Sequence, residues 1–392
     1  MQILGLIIFI SLTDYMVWKG LRTGCLYKLP GIKLFSYIHI VLYVFFLLCV
    51  ISIYFSGKIK DPQLISIFYI LFGILVTVYI PKAIYLFVTI LPVSGKFTIY
   101  KRVSGIFFSL LAAFLFIKGM CYDRKDFKVE TIDIVTDKIP ESFNGYRIAL
   151  ISDLHLGSWG GKTAPVKAMV ELINDESPDI ILFAGDMVNN FDEEIDPYIE
   201  ILSELRARNG TFAVTGNHDY GWYYDWNTLT EHEKNFNNIC KKINASGFRL
   251  LMNEHVYIKQ GQDSIILAGI ENFSLLPRPM RGDLSKAIAG IDTSLFTVLM
   301  SHDPVFFEKS DKTDGFYPDL TLSGHTHGGQ SSFKIGKFQW SPFSLLNRYN
   351  SGLFYENDKA LYVTRGVGYL GFPGRIGSKP QIAILKLKTA TE

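Results

Sequence analysis

The sequence predicts an α/β domain preceded by a bundle of about four transmembrane helices, and three observations predict it. The first 120 of 392 residues hold several long apolar segments and only two acidic residues, Asp14 and Asp61. After residue 146, short apolar runs recur, each breaking into polar residues. Five of the eight histidines sit in the loops that follow those runs.

The elements follow in order. Residues 1–18 are apolar apart from Asp14 and end in Trp18-Lys19; without a basic start or a small-residue cleavage site they read as an anchor helix and not a removed signal peptide. Residues 34–56 run 23 positions without a formal charge, enough to cross roughly 30 Å of hydrocarbon as a helix. Residues 64–93 are similar but interrupted by Pro81 and Lys82, which predicts a long kinked helix leaving the bilayer near Lys82. Residues 103–120 make the fourth span, so the membrane region is residues 1–120 and the linker with a first strand is 121–145. An even number of spans puts both ends on one face, and counting Lys and Arg in the loops gives seven against six in favour of an external large domain.

From 146 to 392 the texture is that of a water-soluble domain. "YRIALISDLHLG" reads as a buried strand ending in a functional loop. "KAMVELINDESPDIILFAGDMV" reads as helix, turn at Ser177-Pro178, then a strand ending at Gly185-Asp186, and "ELRARNGTFAVTGNHDYG" repeats the arrangement. "SIILAGIENF", "LFTVLMSHDP", "PDLTLSGHTHGG" and "ALYVTRGVGYLG" add four strands. Strands that all close on polar residues suggest one shared crevice at their ends.

Charge and cysteine usage exclude some classes. The first 120 residues carry a net +9 and the remainder −7, so the soluble part offers no basic stripe and no nucleic-acid partner is expected. The basic residues of the first part suit anionic headgroups, making membrane lipids a partner. Cys25, Cys49, Cys121 and Cys240 are far apart and form neither a disulfide framework nor a zinc ribbon. Nothing in the sequence marks an oligomeric state.

The strand ends carry Asp153 and His155, then Asp186, then Asn217, His218 and Asp219, then His302 and Asp303, then His325 and His327. Carboxylates, imidazoles and an amide oxygen without thiolates suit borderline or hard divalent cations. There are too many ligands for one ion, and two adjacent ions need a shared carboxylate. Asp186, beside the permissive Gly185, is the natural candidate. In an extended or tightly turned segment, His325 and His327 at i and i+2 could diverge toward different ions.

The ordered series "DLH", "GD", "GNHD", "H" and "GHTH" resembles the calcineurin-like metallophosphoesterase superfamily over about residues 146–388. The resemblance implies two packed mixed β-sheets flanked by helices and two divalent metal ions, Mn, Fe or Zn. It implies Asp153, His155, Asp186 and His327 around the first ion, and Asp186, Asn217, His302 and His325 around the second. His218 would meet the phosphate and protonate the leaving group, with Asp219 orienting it. "GHTHGGQ" and the ending "YVTRGVGYLGFPGRIGSKPQIAILKL" resemble the membrane-associated bacterial branch, with its phosphodiesterases and enzymes of lipid-linked substrates. Arg375 and Arg278 are then candidate substrate contacts.

The function expected is hydrolysis of a phosphodiester or diphosphate by a metal-activated water, on a lipid-linked or cell-envelope phosphate ester, by a multi-pass protein of the inner (plasma) membrane. One alternative is a UDP-2,3-diacylglucosamine pyrophosphatase of lipid A synthesis, which requires a cytoplasmic site. Another is a membrane sensor with an inactive hydrolase domain, against which stands a full set of ligands.

Overall fold

The computed structural model describes residues 2–23, 32–55, 60–90, 97–273, 281–310, 316–335, 338–345 and 347–390. By its internal contacts the chain divides into two compact units, residues 1–122 with 371–374, and residues 123–370 with 375–392.

The first unit is built of helices α1 (Gln2–Thr23), α2 (Ile32–Phe55), α3 (Pro62–Ile90) and α4 (Phe97–Cys121). Its apolar core is Ile10, Phe46, Val50, Leu75 and Tyr79. Apolar side chains also face outward, for example Ile106, Leu110 and Phe114 on α4, as expected of a surface solvated by lipid. Among the described residues, two stretches are long and apolar enough to cross a membrane, 63–90 and 97–125. This corrects the expected four spans to two. The other two expected spans, 1–18 and 34–56, fall on α1 and α2, helices whose residues are described only in part.

That charge is enclosed. The Asp14 carboxylate, buried between helices, accepts from Lys82 Nζ at 2.8 Å and from the Tyr79 hydroxyl, with His39 Nε2 3.0 Å away. Lys82, which follows Pro81 within α3, turns its ammonium to Asp14, and α3 runs on to Ile90 as the expected long helix does. A charge in such a setting is tolerable only when paired, and removing one partner strands the other.

The second unit holds two six-stranded mixed sheets among the described residues. Its strands are β1 (Lys128–Thr136), β2 (Arg147–Ile151), β3 (Ile180–Phe183), β4 (Thr211–Ala213), β5 (Arg249–Leu250), β6 (Glu254–Gln260), β7 (Asp263–Gly269), β8 (Thr297–Met300), β9 (Leu320–Ser323), β10 (Phe333–Ile335), β11 (Phe338–Trp340), β12 (Gly352–Glu356), β13 (Lys359–Val363) and β14 (Gln381–Thr389). One sheet runs β1-β14-β2-β3-β4-β5, the other β12-β13-β9-β8-β7-β6, and β10 with β11 form a small hairpin.

Alternation along each strand builds the layers. On β2, Ile148 and Leu150 join Leu182, Leu267, Val298 and Leu320 in the core between the sheets. Ala149 and Ile151 face the other way, against Val166, Met169 and Val170 of α5 (Ala164–Asp175) and Ile239 of α6 (Leu229–Ala245). The second sheet's outer face packs Leu299 and Leu361 on Phe306 and Phe307 of α7 (Val305–Ser310). The result is two mixed sheets flanked by helices. β2, β3 and β4 are parallel neighbours, as are β8 and β9, so the loops at their carboxyl ends gather on one side of each sheet.

Replacing Asp14 by Ala should leave Lys82 without its counter-charge and destabilise the helical unit by about 3 kcal/mol or more. The double change Asp14→Leu with Lys82→Met should recover most of that loss, measured by thermal unfolding of the full chain in detergent.

Candidate metal centre

Of the seven side chains expected to bind metal, the structure brings six, from four loops, into two adjoining groups, and Asn217 comes from a fifth loop. Asp153, His155 and His327 form one, and Asp186, His302 and His325 the other. In the first, His155 Nε2 and His327 Nε2 are 3.2 Å apart and His327 Nε2 lies 3.5 Å from Asp153 Oδ1. In the second, His302 Nε2 is 3.0 Å from Asp186 Oδ2 and 3.3 Å from His325 Nδ1. Asp186 Oδ2 also lies 3.6 Å from His155 Nε2, so this carboxylate stands between the groups. His325 and His327, two residues apart, belong to different groups.

The backbone is bent to achieve this. Asp153, His155, Asp186, His325 and His327 all have positive φ, between 45° and 69°. Asp tolerates the left-handed region better than most residues, and such strain concentrates at functional sites. The close approach also requires glycine: a Cβ on Gly216 would lie 2.2 Å from Asp186 Oδ1.

Second partners fix the imidazoles. His302 donates Nδ1–H to the Ala184 carbonyl at 2.7 Å, and His155 Nδ1 lies 3.1 Å from the Asn189 amide oxygen. Each therefore presents Nε2 to the cluster. Burial pushes the His155 imidazole down to about 3 and raises the Asp153 carboxyl. Burial also disfavours charge on His302, but the Asp186 and Asp153 carboxylates outweigh it and lift its pKa to about 10. Asp186, despite burial, is held well below its ordinary value by the surrounding histidines.

These residues fit divalent cations. Imidazole nitrogens face one another at hydrogen-bond distance among carboxylates, which suits a cation better than a proton. The buried Asn217 Oδ1 has no hydrogen-bond partner, as an oxygen reserved for a metal would.

His218 lies beside the groups. Its backbone N–H donates to Asp186 Oδ1 at 2.8 Å, and its Nδ1–H donates to the Asn189 carbonyl at 2.8 Å. The ring meets the His155 ring edge-on with centroids 4.8 Å apart. Burial lowers its pKa.

Two expectations are corrected. Asp219 does not orient His218, since the acceptor at Nδ1 is the Asn189 carbonyl. Its carboxylate accepts instead from the backbone N–H groups of Gly216, Asp186, Met187 and Val188, fastening two loops. Burial raises its pKa to about 7, the Asp186 charge adding to the rise and the N–H groups opposing it. Arg375, expected to meet substrate, is fully buried; its guanidinium donates to the carbonyls of Gly368, His327, Arg365 and Gly366. It pins the turn that carries His327. Arg278 lies outside the described residues.

The sequence reading also missed Glu194, a buried carboxylate accepting from the N–H groups of Gly157, Asn189, Asn190 and Phe191. It ties the His155 loop to the Asn189 carbonyl that holds His218. No sequence signal announces it, because its partners are backbone atoms.

Asp219→Ala should leave up to four buried N–H groups without acceptors and cost about 3 kcal/mol or more. Thermal unfolding and metal content should both fall. Because His302 in the metal-free protein holds its proton up to about pH 10, an ion entering at neutral pH must displace it. Metal affinity should therefore rise with pH below that value, and calorimetry in buffers of different ionisation enthalpy should show about one proton released per ion bound beside His302.

The site agrees with what the chain resembles. The calcineurin-like phosphoesterase family matches residues 146–329. "Uncharacterized metallophosphoesterase YkuE" of Bacillus subtilis (strain 168) is 30% identical over 267 residues, 67% of this chain and 86% of its own. "Uncharacterized metallophosphoesterase Cj0846" of Campylobacter jejuni is 27% identical over 387 residues, 94% of this chain and 96% of its own. "Transmembrane protein with metallophosphoesterase domain" of Danio rerio is 30% identical over 296 residues, 72% of this chain but only 62% of that relative's length. With two membrane-length helices, such relatives support membrane association. The chain belongs to the calcineurin-like metallophosphoesterases.

Proposed function

We propose that the protein is a membrane-anchored phosphoesterase that uses two divalent ions to hydrolyse phosphodiester or diphosphate bonds. The observation that carries this reading is the place of Asp186, whose Oδ2 is 3.0 Å from His302 Nε2 in one group and 3.6 Å from His155 Nε2 in the other. Asp153, His155 and His327 would hold one ion and Asn217, His302 and His325 the other, with Asp186 shared. When bound, such ions neutralise phosphate charge and lower the pKa of water. The chain's own contribution is positional. His218 commits Nδ1 to a carbonyl, leaving Nε2 as the nitrogen that can exchange a proton with the departing oxygen.

A lipid-linked or cell-envelope substrate is supported by two helices of membrane length on the same chain, one of them lined outward with Ile106, Leu110 and Phe114. A sensor with an inactive domain is disfavoured by the completeness of the ligand groups. Mn, Fe and Zn all suit the donor set.

The purified full chain with Mn²⁺ should hydrolyse bis(p-nitrophenyl) phosphate, lose activity to EDTA and regain it with added metal. Asp186→Ala should abolish turnover. His218→Ala should lower the rate by roughly 10²–10⁴ while keeping its metal. Full activity in the His218 variant would remove its role, and metal-independent hydrolysis would sink the reading.

A further inference from the structure

After "GNHD" the chain continues "YGWYYDW", five aromatic residues in seven, and this segment is folded back onto the site. Trp226 Nε1 donates to the Gly221 carbonyl at 2.7 Å, closing the turn. The rings of Tyr224 and Trp226 pack on Phe191 with centroids 4.9 and 5.7 Å away. The Tyr223 N–H donates to Asn190 Oδ1 at 3.2 Å, one residue beyond the carbonyl that holds His218.

Tyr223 is thereby set against two site residues at once. Its ring stacks on the His218 imidazole, centroids 4.2 Å apart and planes 17° apart. Its hydroxyl accepts from Asn217 Nδ2 at 2.7 Å. Although the residue is 39% exposed, both contacts are made, so the ring forms an outer wall of the site.

The amide contact has a chemical consequence. An Asn side chain has a donor end and an acceptor end that exchange places on a half-turn, and only the oxygen can ligate a cation. Giving the NH₂ end to a phenol oxygen fixes the amide plane and leaves Oδ1, which is buried and has no hydrogen bond. The stack acts on the other residue. With Nδ1 bound to Asn189, the His155 ring at its edge and the Tyr223 face upon it, His218 has no free rotation left.

We propose that Tyr223 is a positioning residue of this site, its hydroxyl aiming Asn217 at the metal and its ring bracing His218. The inference rests on the reading of Asn217 and His218 given above. The two contacts are separable, because Phe keeps the ring and removes the hydroxyl, whereas Leu removes both.

The test compares Tyr223→Phe, Tyr223→Leu and Asn217→Ala as full-length protein, reading Mn²⁺ content and affinity by mass spectrometry and calorimetry, then kcat and KM on bis(p-nitrophenyl) phosphate at saturating Mn²⁺. Tyr223→Phe should weaken one of the two Mn²⁺ sites about tenfold, in the direction of Asn217→Ala, with kcat near wild type once metal is saturating. Tyr223→Leu should show the same metal defect and in addition lower kcat about tenfold at unchanged KM. If Tyr223→Phe binds Mn²⁺ within twofold of wild type while Asn217→Ala does not, the orienting role of the hydroxyl is wrong. Equal kcat in the Phe and Leu variants overturns the brace on His218. Should Asn217→Ala itself keep both ions, Asn217 is no ligand, and the reading beneath the inference fails with it.

Discussion

The site depends on a buried carboxylate outside both proposed ligand groups. Asp219 draws the backbone N–H groups of Gly216, Asp186, Met187 and Val188 onto its two oxygens. Those N–H groups belong to the turns after β4 and β3, so the bond set clamps neighbouring loops at the carboxyl ends of parallel strands. The clamp holds Asp186 at φ 61° and places its Oδ1 under the His218 N–H, with Oδ2 turned to the histidines. Two carboxylates so near each other repel, and the pair persists because peptide dipoles and imidazoles surround both.

Strain and crowding are distributed with the same logic. Five candidate ligands adopt left-handed backbone, each disfavoured by about 1 kcal/mol or more. Such residues persist only where rigid elements over-determine them. Here the rigidity comes from strands buried on both faces, with Leu150 and Ile151, or Leu182 and Phe183, packed into different cores one residue apart. Gly324 shows how little room remains, since a Cβ there would lie 2.6 Å from Asp153 Oδ2. The sheets supply stiffness, and the loops spend it on bringing like groups together.

What could be read from sequence follows from what carries a signature. Metal-type side chains at strand ends are visible as "DLH", "GNHD" and "GHTH"; those of "DLH" and "GHTH" converge in the two groups, and "GNHD" reaches them through the His218 N–H on Asp186. The seven strands expected after residue 146 correspond to β2, β3, β4, β7, β8, β9 and β13, whose apolar runs are short but continuous. The edge strands β12 and β6 hold only three consecutive apolar or aromatic residues each, Leu353 to Tyr355 and Val256 to Ile258, too short a run to read as a strand. Arg375 misled because an arginine in a Gly/Pro loop looks solvated, while its actual partners, four carbonyl oxygens, leave no trace in a sequence. Asp219 misled through adjacency to His218. Neighbouring side chains diverge, and the contact that matters to His218 comes from a residue 29 positions earlier.

The same distinction separates two buried ionisable clusters among the described residues. Around Asp14 the account closes internally: one carboxylate meets an ammonium, an imidazole and a phenol, and the donors are matched to its lone pairs. Such a cluster ties helices together and needs nothing further. Around Asp186 it stays open, with imidazole nitrogens turned toward each other at 3.2 and 3.3 Å and an amide oxygen buried without a donor. In the first group protons supply positive charge poorly, because burial holds His155 near 3, and in the second His302 keeps a proton that an entering ion must displace. The divalent cations proposed above would supply that charge, with Asp186 as the carboxylate that both groups can reach.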